Sequence, residues 1–374
     1  MTYDAVIIGG GPAGAAAGLA LANSGASVCI IEHTIFPRRK TCAGILTEKT
    51  VKLLQIMFPK ISLATYDSTN DVTLLSGGSD ICVFSTQYPF VLIDRESFDY
   101  ELLRACKRVG VHVVEGAETT LFLPQKSELV LHNGIHVSYG VLIAADGVHS
   151  QIRKRLGIPN IQKGFCVQDI INREFCSEPL LSMSGLRLSF GDLAFGYSWV
   201  IPNRTHIIVG TGVLEDNSNW KNAFETHLKL CNRLDLPTSA VRTGAYVPIG
   251  QLTDQETHPY ENIVFIGDAA GLAHPLTGEG IYYALLSGQL ACNAYLQNKT
   301  RFRTTYLSCL KDTADSLSKD AGLLQQFYSD KIIKNFAMQL KDCPEYLASI
   351  CDDVISINKR DFDSVLLEIQ HLLK

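Results

Sequence analysis

The stretch from Ala5 to Glu32 constrains this chain more than any other. Ala5 to Ile8 is apolar and of strand length. Gly9, Gly11 and Gly14 follow in G-x-G-x-x-G spacing, and a helical pattern continues through Leu19 and Leu21 to Gly25. A second apolar run, Val28 to Ile31, ends in Glu32. Strand, glycine turn, helix and strand in this order predict the βαβ opening of an α/β, doubly wound nucleotide-binding domain. Gly9 allows the tight turn, Gly11 lets the backbone approach a pyrophosphate, and Gly14 lets helix and strand pack closely. The helix N-terminus faces phosphate, and Glu32 can accept hydrogen bonds from a ribose. The ligand at this point is either NAD or FAD.

Two later stretches favour FAD. Val141 to Ala145 is a strand-like run followed by Asp146-Gly147-Val148-His149-Ser150 and Ile152-Arg153. Val264 to Ile266 is another, followed by Gly267-Asp268-Ala269-Ala270-Gly271. Pro275, Thr277, Gly278 and Gly280 then lead into a helical pattern that starts near Ile281. Small residues let backbone approach a ligand, and the helix start carries partial positive charge. Three strand-plus-small-turn motifs so far apart resemble the three fingerprints of FAD proteins of the p-hydroxybenzoate hydroxylase type. That resemblance implies Glu32 on the adenosine ribose and Asp268 on the ribityl chain.

With 374 residues the chain is long enough for more than one core. Its 46% hydrophobic and 19% charged residues are those of a globular protein. A net charge of −5 argues against nucleic acid as a partner, since phosphate binding needs a basic face. The eleven cysteines include no C-x-x-C pair and no compact metal motif, so no metal site is expected and the thiols are expected to be free. The start carries no basic signal region. The uncharged run from Ala5 to Ala22 is interrupted by Pro12 and five glycines, a poor membrane span. A cytoplasmic location follows as the expectation, with peripheral membrane contact left open.

Phe36 to Gly44, FPRRKTCAG, follows the second strand. Its basic run is either a solvated turn or a cofactor contact, with Arg39 the candidate for the latter. Cys42 is either a small buried residue or one facing the flavin. Arg95 opens a predicted helix over residues 95–109, whose apolar face is Phe98, Leu102, Cys106 and Val109. A cation at a helix start opposes the dipole, so Arg95 calls for an acid or ligand partner. Residues 71–90 and 161–247 read as an antiparallel-sheet catalytic domain, set between FAD-domain segments 1–70, 91–160 and 248–298. In that sheet Tyr197, Trp199 and Ile201 share one strand face. An aromatic stripe of this kind is either core or binding wall. Residues 299–374 read as a C-terminal helical region, with Leu317, Ala321, Leu324 and Tyr328, then Ile332, Ile333, Phe336 and Leu340, at helical spacing. Ten Lys and Arg against eleven Asp and Glu in 301–374 make it no polybasic anchor.

Several of these stretches together resemble the geranylgeranyl reductase family: AGLAHPLTGEGIYYALLSG, KTCAG, DRESFD at Arg95, and GYSWVIP. The resemblance covers residues 1 to about 300. The last element is similar to the family's Y-x-W-x-F-P, with Ile201 in place of phenylalanine. His274 stands where asparagine is common and Ala43 where glycine is. The resemblance implies a doubly wound FAD domain interleaved with a sheet domain, and reduction of carbon–carbon double bonds in isoprenoid chains by reduced FAD. It places Ala13, Glu32, Cys42, Ala43, Arg95, Ala117, Asp268, Gly280 and Ile281 on FAD, beside Gly9, Gly11 and Gly14. Tyr197, Trp199 and Pro202 would line the prenyl pocket, with Cys42 near the isoalloxazine ring. The electrons would come from NAD(P)H or a reduced carrier protein. A flavin monooxygenase or halogenase of the same fold, and a non-catalytic electron-carrying flavoprotein, are the competing readings.

Overall fold

The computed structural model describes residues 1–63, 66–77, 79–214, 220–249, 258–322 and 343–356, apart from the side chain of residue 354. The expected helical positions from Leu324 to Leu340 lie outside them.

Two sheets carry the chain. The first has β1 (Thr2–Ile8) at its centre, parallel to β2 (Val28–Ile31) on one side and β9 (His136–Ala144) on the other. β6 (His112–Val114) extends it beyond β2. The end of β9 pairs in parallel with β15 (Ile263–Phe265), and its beginning carries an antiparallel ribbon of β8 (Glu128–Leu131) and β7 (Thr119–Leu123). This is the expected doubly wound core. Its central strands, β2, β15, the middle of β1 and the end of β9, are buried on both faces, which is why they read as unbroken apolar runs.

Helix α1 (Pro12–Asn23) is apolar on nearly every side because it lies between that sheet, α3 (Arg95–Arg108) and α7 (Ile281–Gln297). Asp94 caps α3 by accepting a hydrogen bond from the Ser97 N–H at 3.0 Å. Phe98, Leu102 and Cys106 form its buried face, as their spacing predicts. Val109 does not join them. The helix stops one residue earlier, Val109 is its exposed C-cap, and Gly110 turns the chain with φ +91°.

The second sheet runs in the order β14 (Val241–Pro248), β10 (Lys163–Asn172), β13 (His206–Val213), β12 (Gly196–Pro202), β11 (Leu186–Phe190), β4 (Asp67–Ser76), β5 (Ser79–Leu92), β3 (Ile45–Leu46). Every pairing is antiparallel except β11 with β4. The sheet draws on Ile45–Leu46, directly after the Phe36 to Gly44 stretch that follows β2, so the two sheets are stitched together at that point. Helices α2 (Glu48–Met57), α4 (Gln151–Arg155) and α5 (Glu178–Leu181) fill connections, and α6 (Trp220–Arg233) covers the outer face of β10 and β13.

Among the described residues two further helices lie toward the C-terminus. α8 (Phe302–Gly322) packs on α7 and buries Phe302, Tyr306, Leu310 and Leu317 in the core of the first sheet. α9 (Pro344–Ile355) packs on β5 of the second sheet. Its Asp352 carboxylate accepts the N–H groups of Gln87, at 2.9 Å, and Tyr88. No helix of the described residues is long and apolar enough to cross a membrane.

Where β15 meets α8, the His258 imidazole is buried against Phe265 and beside Arg303. Burial, with Arg303 and Arg153 adding like charge, pushes its pKa from 6.5 down to about 4. The folded state therefore refuses a proton that the unfolded chain takes up below 6.5. Stability contributed by this group is complete above that value and is lost as the pH falls to about 4, an expected loss of about 3 kcal/mol. Urea unfolding of wild type and His258→Gln across this range checks it: the variant should lack that share of the slope.

Candidate functional site

The loop between β1 and α1 takes its shape from glycine. Gly9 has φ +105°, and a Cβ there would lie 2.3 Å from the Ala145 carbonyl oxygen. A Cβ on Gly14 would lie 1.9 Å from the Gly9 carbonyl oxygen. Strand and helix therefore approach as the motif requires. Gly11 has no such crowding. The nearest group to a Cβ there is the Arg38 guanidinium, at 3.5 Å. The α1 N-terminus has neither a side-chain cap nor an acidic residue in its first turn. Its N–H groups are left for an anion, with Arg38 beside them.

Arg38 is held there. It stacks over the Phe36 ring, 4.6 Å from the centroid, and lies 3.4 Å from the Asp99 carboxylate. Of the basic run it is thus Arg38, and not the expected Arg39, that faces the glycine loop. Arg39 points to solvent with 73% of its side chain exposed, 4.0 Å from Glu96. Three basic residues in sequence carry no signal of which one turns inward. The choice is made by the folded chain, which brings the Phe36 ring and the Asp99 carboxylate to Arg38.

Glu32 ends β2 with its carboxylate buried. One oxygen accepts the Gly10 N–H at 2.7 Å; the other accepts the Thr34 N–H and hydroxyl. Burial opposes the charge, and these donors outweigh it and hold the pKa below the usual range. Ala117 is buried beside it, its N–H on the Glu32 carbonyl at 3.0 Å. Arg95 has the acid partner its position demanded. Its guanidinium donates two 2.8 Å hydrogen bonds to Asp99, one turn along α3. Asp99 thereby receives both Arg95 and Arg38. Arg95 also neighbours the Cys42 thiol.

The second half of the site begins at Gly267, with φ +55°. A Cβ on it would lie 2.8 Å from the Ala13 methyl. Gly288, one turn and more into α7, meets the backbone of α1 at Ala13 and Ala17 equally closely. Ala13 is accordingly a packing residue against the third motif. Asp268 follows, partly exposed, on a short turn spanning Gly267–Ala270. Its carboxylate faces Gly280, the uncapped N-terminus of α7, whose first helical residue is Ile281. The turn between them closes on itself: the His274 N–H donates to the Glu279 carbonyl and the Gly278 N–H to the His274 carbonyl.

The aromatic strand reaches this turn. The Tyr197 hydroxyl donates to the Thr277 carbonyl at 2.7 Å. Tyr197 also packs on Trp199, centroids 5.7 Å apart, and Trp199 lies over Gly210, where a Cβ would sit 2.3 Å from the indole. The indole Nε1 is buried without a partner. Cys42, half buried with its sulfur accepting the Gly44 N–H at 3.4 Å, and Cys166, whose thiol burial pushes up to about 12, are close enough to act electrostatically on one another and on Tyr197. Ala43 packs at the edge of the same apolar cluster as Tyr197 and Trp199. Pro202 is different. Strand alternation puts it with Ser198 and Val200 on the opposite face, across from the buried Ile207. It does not share the Tyr197–Trp199 face, because a strand has a period of two and Pro202 is an odd number of residues from both.

Helix α9 of the C-terminal region packs against this cluster. Leu347 and Ile355 join Trp199, Ile201 and Phe84 in one apolar cluster. On the outer face, Asp169, His227 and Cys231 place ligand-type atoms 3.1–3.4 Å apart. Arg242 already donates to both Asp169 oxygens, at 2.9 and 2.7 Å. The cluster is charge-balanced by that cation and lies across the sheet from the aromatic face.

A dinucleotide with a flavin fits these features. Two uncapped helix N-termini, an open Gly11 beside a cation, a ribose-type acid at the end of β2 and an acid facing Gly280 form its expected donor and acceptor set. The comparisons agree. A family model described as an FAD binding domain matches residues 2–285. The chain is 30% identical to an uncharacterized protein of Methanosarcina barkeri over 77% of this chain and 73% of that one. It is 25% identical to the geranylgeranyl diphosphate reductase of Rhodobacter capsulatus over 98% and 92%. A geranylgeranyl bacteriochlorophyll reductase-like protein from Thermoplasma acidophilum superposes with a TM-score of 0.74 over 99% of both chains at 18% identity, which shows the shared fold.

The glycine geometry gives a direct test. Gly14→Ala must displace the β1–α1 turn, and the purified protein should lose most of its FAD absorbance. Gly322→Ala, with no described atom within 4 Å of the new methyl, should leave FAD content unchanged.

Proposed function

This chain belongs to the FAD-binding-domain family, and from that premise we propose that it reduces carbon–carbon double bonds of an isoprenoid chain. The observation that carries the reading is the hydrogen bond from Tyr197 to the Thr277 carbonyl. It holds the aromatic face of the second sheet against the turn that begins α7. The resemblance of PLTGEG and GYSWVIP to geranylgeranyl reductases, and the full-length relationship to the Rhodobacter enzyme, supply the substrate class.

Bound in its reduced form, FAD supplies a hydride. The remaining work falls to the chain. An isolated alkene offers no carbonyl to polarise, so rate must come largely from orientation. Tyr197 and Trp199 offer broad apolar surface on which a prenyl unit can be fixed, and binding along the rest of the chain adds energy remote from the reacting carbons. Arg38, Glu32 and Asp268 would hold the cofactor's polar parts, and the α7 N-terminus at Gly280 and Ile281 would favour negative charge on it. The adjacent carbon must receive a proton. Cys42 is the thiol beside the aromatic face and a candidate for that transfer, directly or by placing a water.

Anaerobic incubation of the dithionite-reduced protein with geranylgeranyl diphosphate, a digeranylgeranyl lipid and menaquinone should yield one product heavier by two hydrogens per reduced bond. Oxygen-dependent oxidation or halogenation, with no reduced product from any of the three, would replace this reading with the monooxygenase or halogenase one. Cys42→Ser should keep its FAD spectrum and lose about 10²-fold in turnover if the thiol supplies the proton; unchanged turnover assigns the proton to water.

A further inference from the structure

The turn from His274 to Gly280 is anchored from a side that the flavin reading does not use. Glu279 reaches the head of α2. One carboxylate oxygen lies 2.7 Å from the Lys49 ammonium; the other accepts the Thr47 hydroxyl at 2.5 Å and the Thr50 hydroxyl at 3.1 Å. All three donors come from the four residues Thr47-Glu48-Lys49-Thr50. The side chains of Lys49 and Glu279 are only 4% and 13% exposed. The ammonium is closed in further by the Tyr282 and Tyr283 rings, 4.9 and 5.8 Å away.

A buried ion pair is a poor way to gain stability, because desolvation of two charges consumes most of their attraction. Lys49 is also a cation in the first turn of a helix, where the dipole opposes it. Both features point to position. Glu279 immediately precedes Gly280, the uncapped start of α7. Fixing the Glu279 side chain on α2 fixes where the α7 N-terminus stands.

We propose that Lys49 is a positioning residue that, through Glu279, sets the α7 N-terminus against the flavin and thereby tunes the flavin's reduction. The proposal rests on the FAD site and not on the identity of the substrate. Without Lys49, Glu279 would be a buried carboxylate beside Tyr282, Tyr283 and His274, the last paired in turn with Asp320, and would keep the two threonine hydroxyls as its side-chain donors. In wild type, burial alone would raise its pKa, and Lys49 with Thr47 and His274 holds it below the usual range. Loss of the ammonium lets that rise prevail. Glu279 then takes up a proton as the pH falls, and the charge beside the turn becomes pH-dependent.

The test is a spectroscopic redox titration of the FAD-loaded protein, with no prenyl substrate present, from pH 6 to 9. In Lys49→Met the reduced fraction at a fixed solution potential should fall about tenfold at the alkaline end, the scale of one lost buried-charge partner, and recover toward acid. Lys49→Arg, which keeps the charge, should track wild type. Lys49→Met/Glu279→Gln, which removes both charges, should lose the new pH dependence. A folded Lys49→Met protein with a wild-type reduction profile at every pH would overturn the proposal, as would a double variant that behaves like the single one. A protein that titrates as expected but reduces no isoprenoid would leave this inference standing and sink the substrate reading alone.

Discussion

The site exists because two helices can touch. Gly14 lets α1 close on β1, Gly267 lets the third motif's turn close on α1, and Gly288 lets α7 do so, with Ala13 as the residue that both of the latter approach. These contacts leave no room for one added carbon. They bring the first fingerprint, at the chain's start, against the third, more than 250 residues later. Residues with larger side chains would separate the two N-termini that face the dinucleotide. The polar groups of the site depend on this packing, because helix N–H groups cannot be aimed at one ligand unless the helices themselves are aimed. Backbone proximity is set first, and the charged side chains complete it.

Those side chains are organised in relays. Asp99 takes Arg95 from its own helix and Arg38 from the loop after β2. Glu279 takes Lys49 and two threonines from α2. Asp169 takes Arg242 from the neighbouring strand. In each case a buried carboxylate ties its own element to another one. Carboxylates suit this work because one group has several lone pairs and can accept from donors on different segments at once. Directional bonding of this kind specifies geometry even where the net free energy is small.

The features legible in the sequence were those fixed by local steric rules. The βαβ opening, the Gly-Asp turn, the α3 apolar face and the alternation at Tyr197, Trp199 and Ile201 each follow from a periodicity or a glycine requirement within a few residues. Arg95 was legible as a problem, a cation at a helix start, and the structure supplied its solution at Asp99. What sequence could not provide was three-dimensional choice. Arg38 and Arg39 are chemically equal, and it is Arg38 that the fold sets against the Phe36 ring and the Asp99 carboxylate. Pro202 travels with Tyr197 and Trp199 in the motif yet falls on the other face. The Lys49–Glu279 pair and the α9 cover join residues whose separation along the chain gives no periodic signal.

Helix α9 has a consequence for the order in which the molecule can be completed during synthesis. The aromatic face of β12 is finished when the ribosome has made residue 202, but the helix that covers part of its cluster begins only at Pro344. For the intervening stretch of translation the nascent sheet presents Trp199, Ile201 and Phe84 without Leu347 and Ile355. During that stretch the cluster lacks the cover that α9 gives it, and apolar surface of this kind is what chaperones hold. The arrival of Asp352 on the N–H groups of Gln87 and Tyr88 ends that stage. The surface laid bare during translation is also the one that the proposed reaction assigns to a prenyl chain.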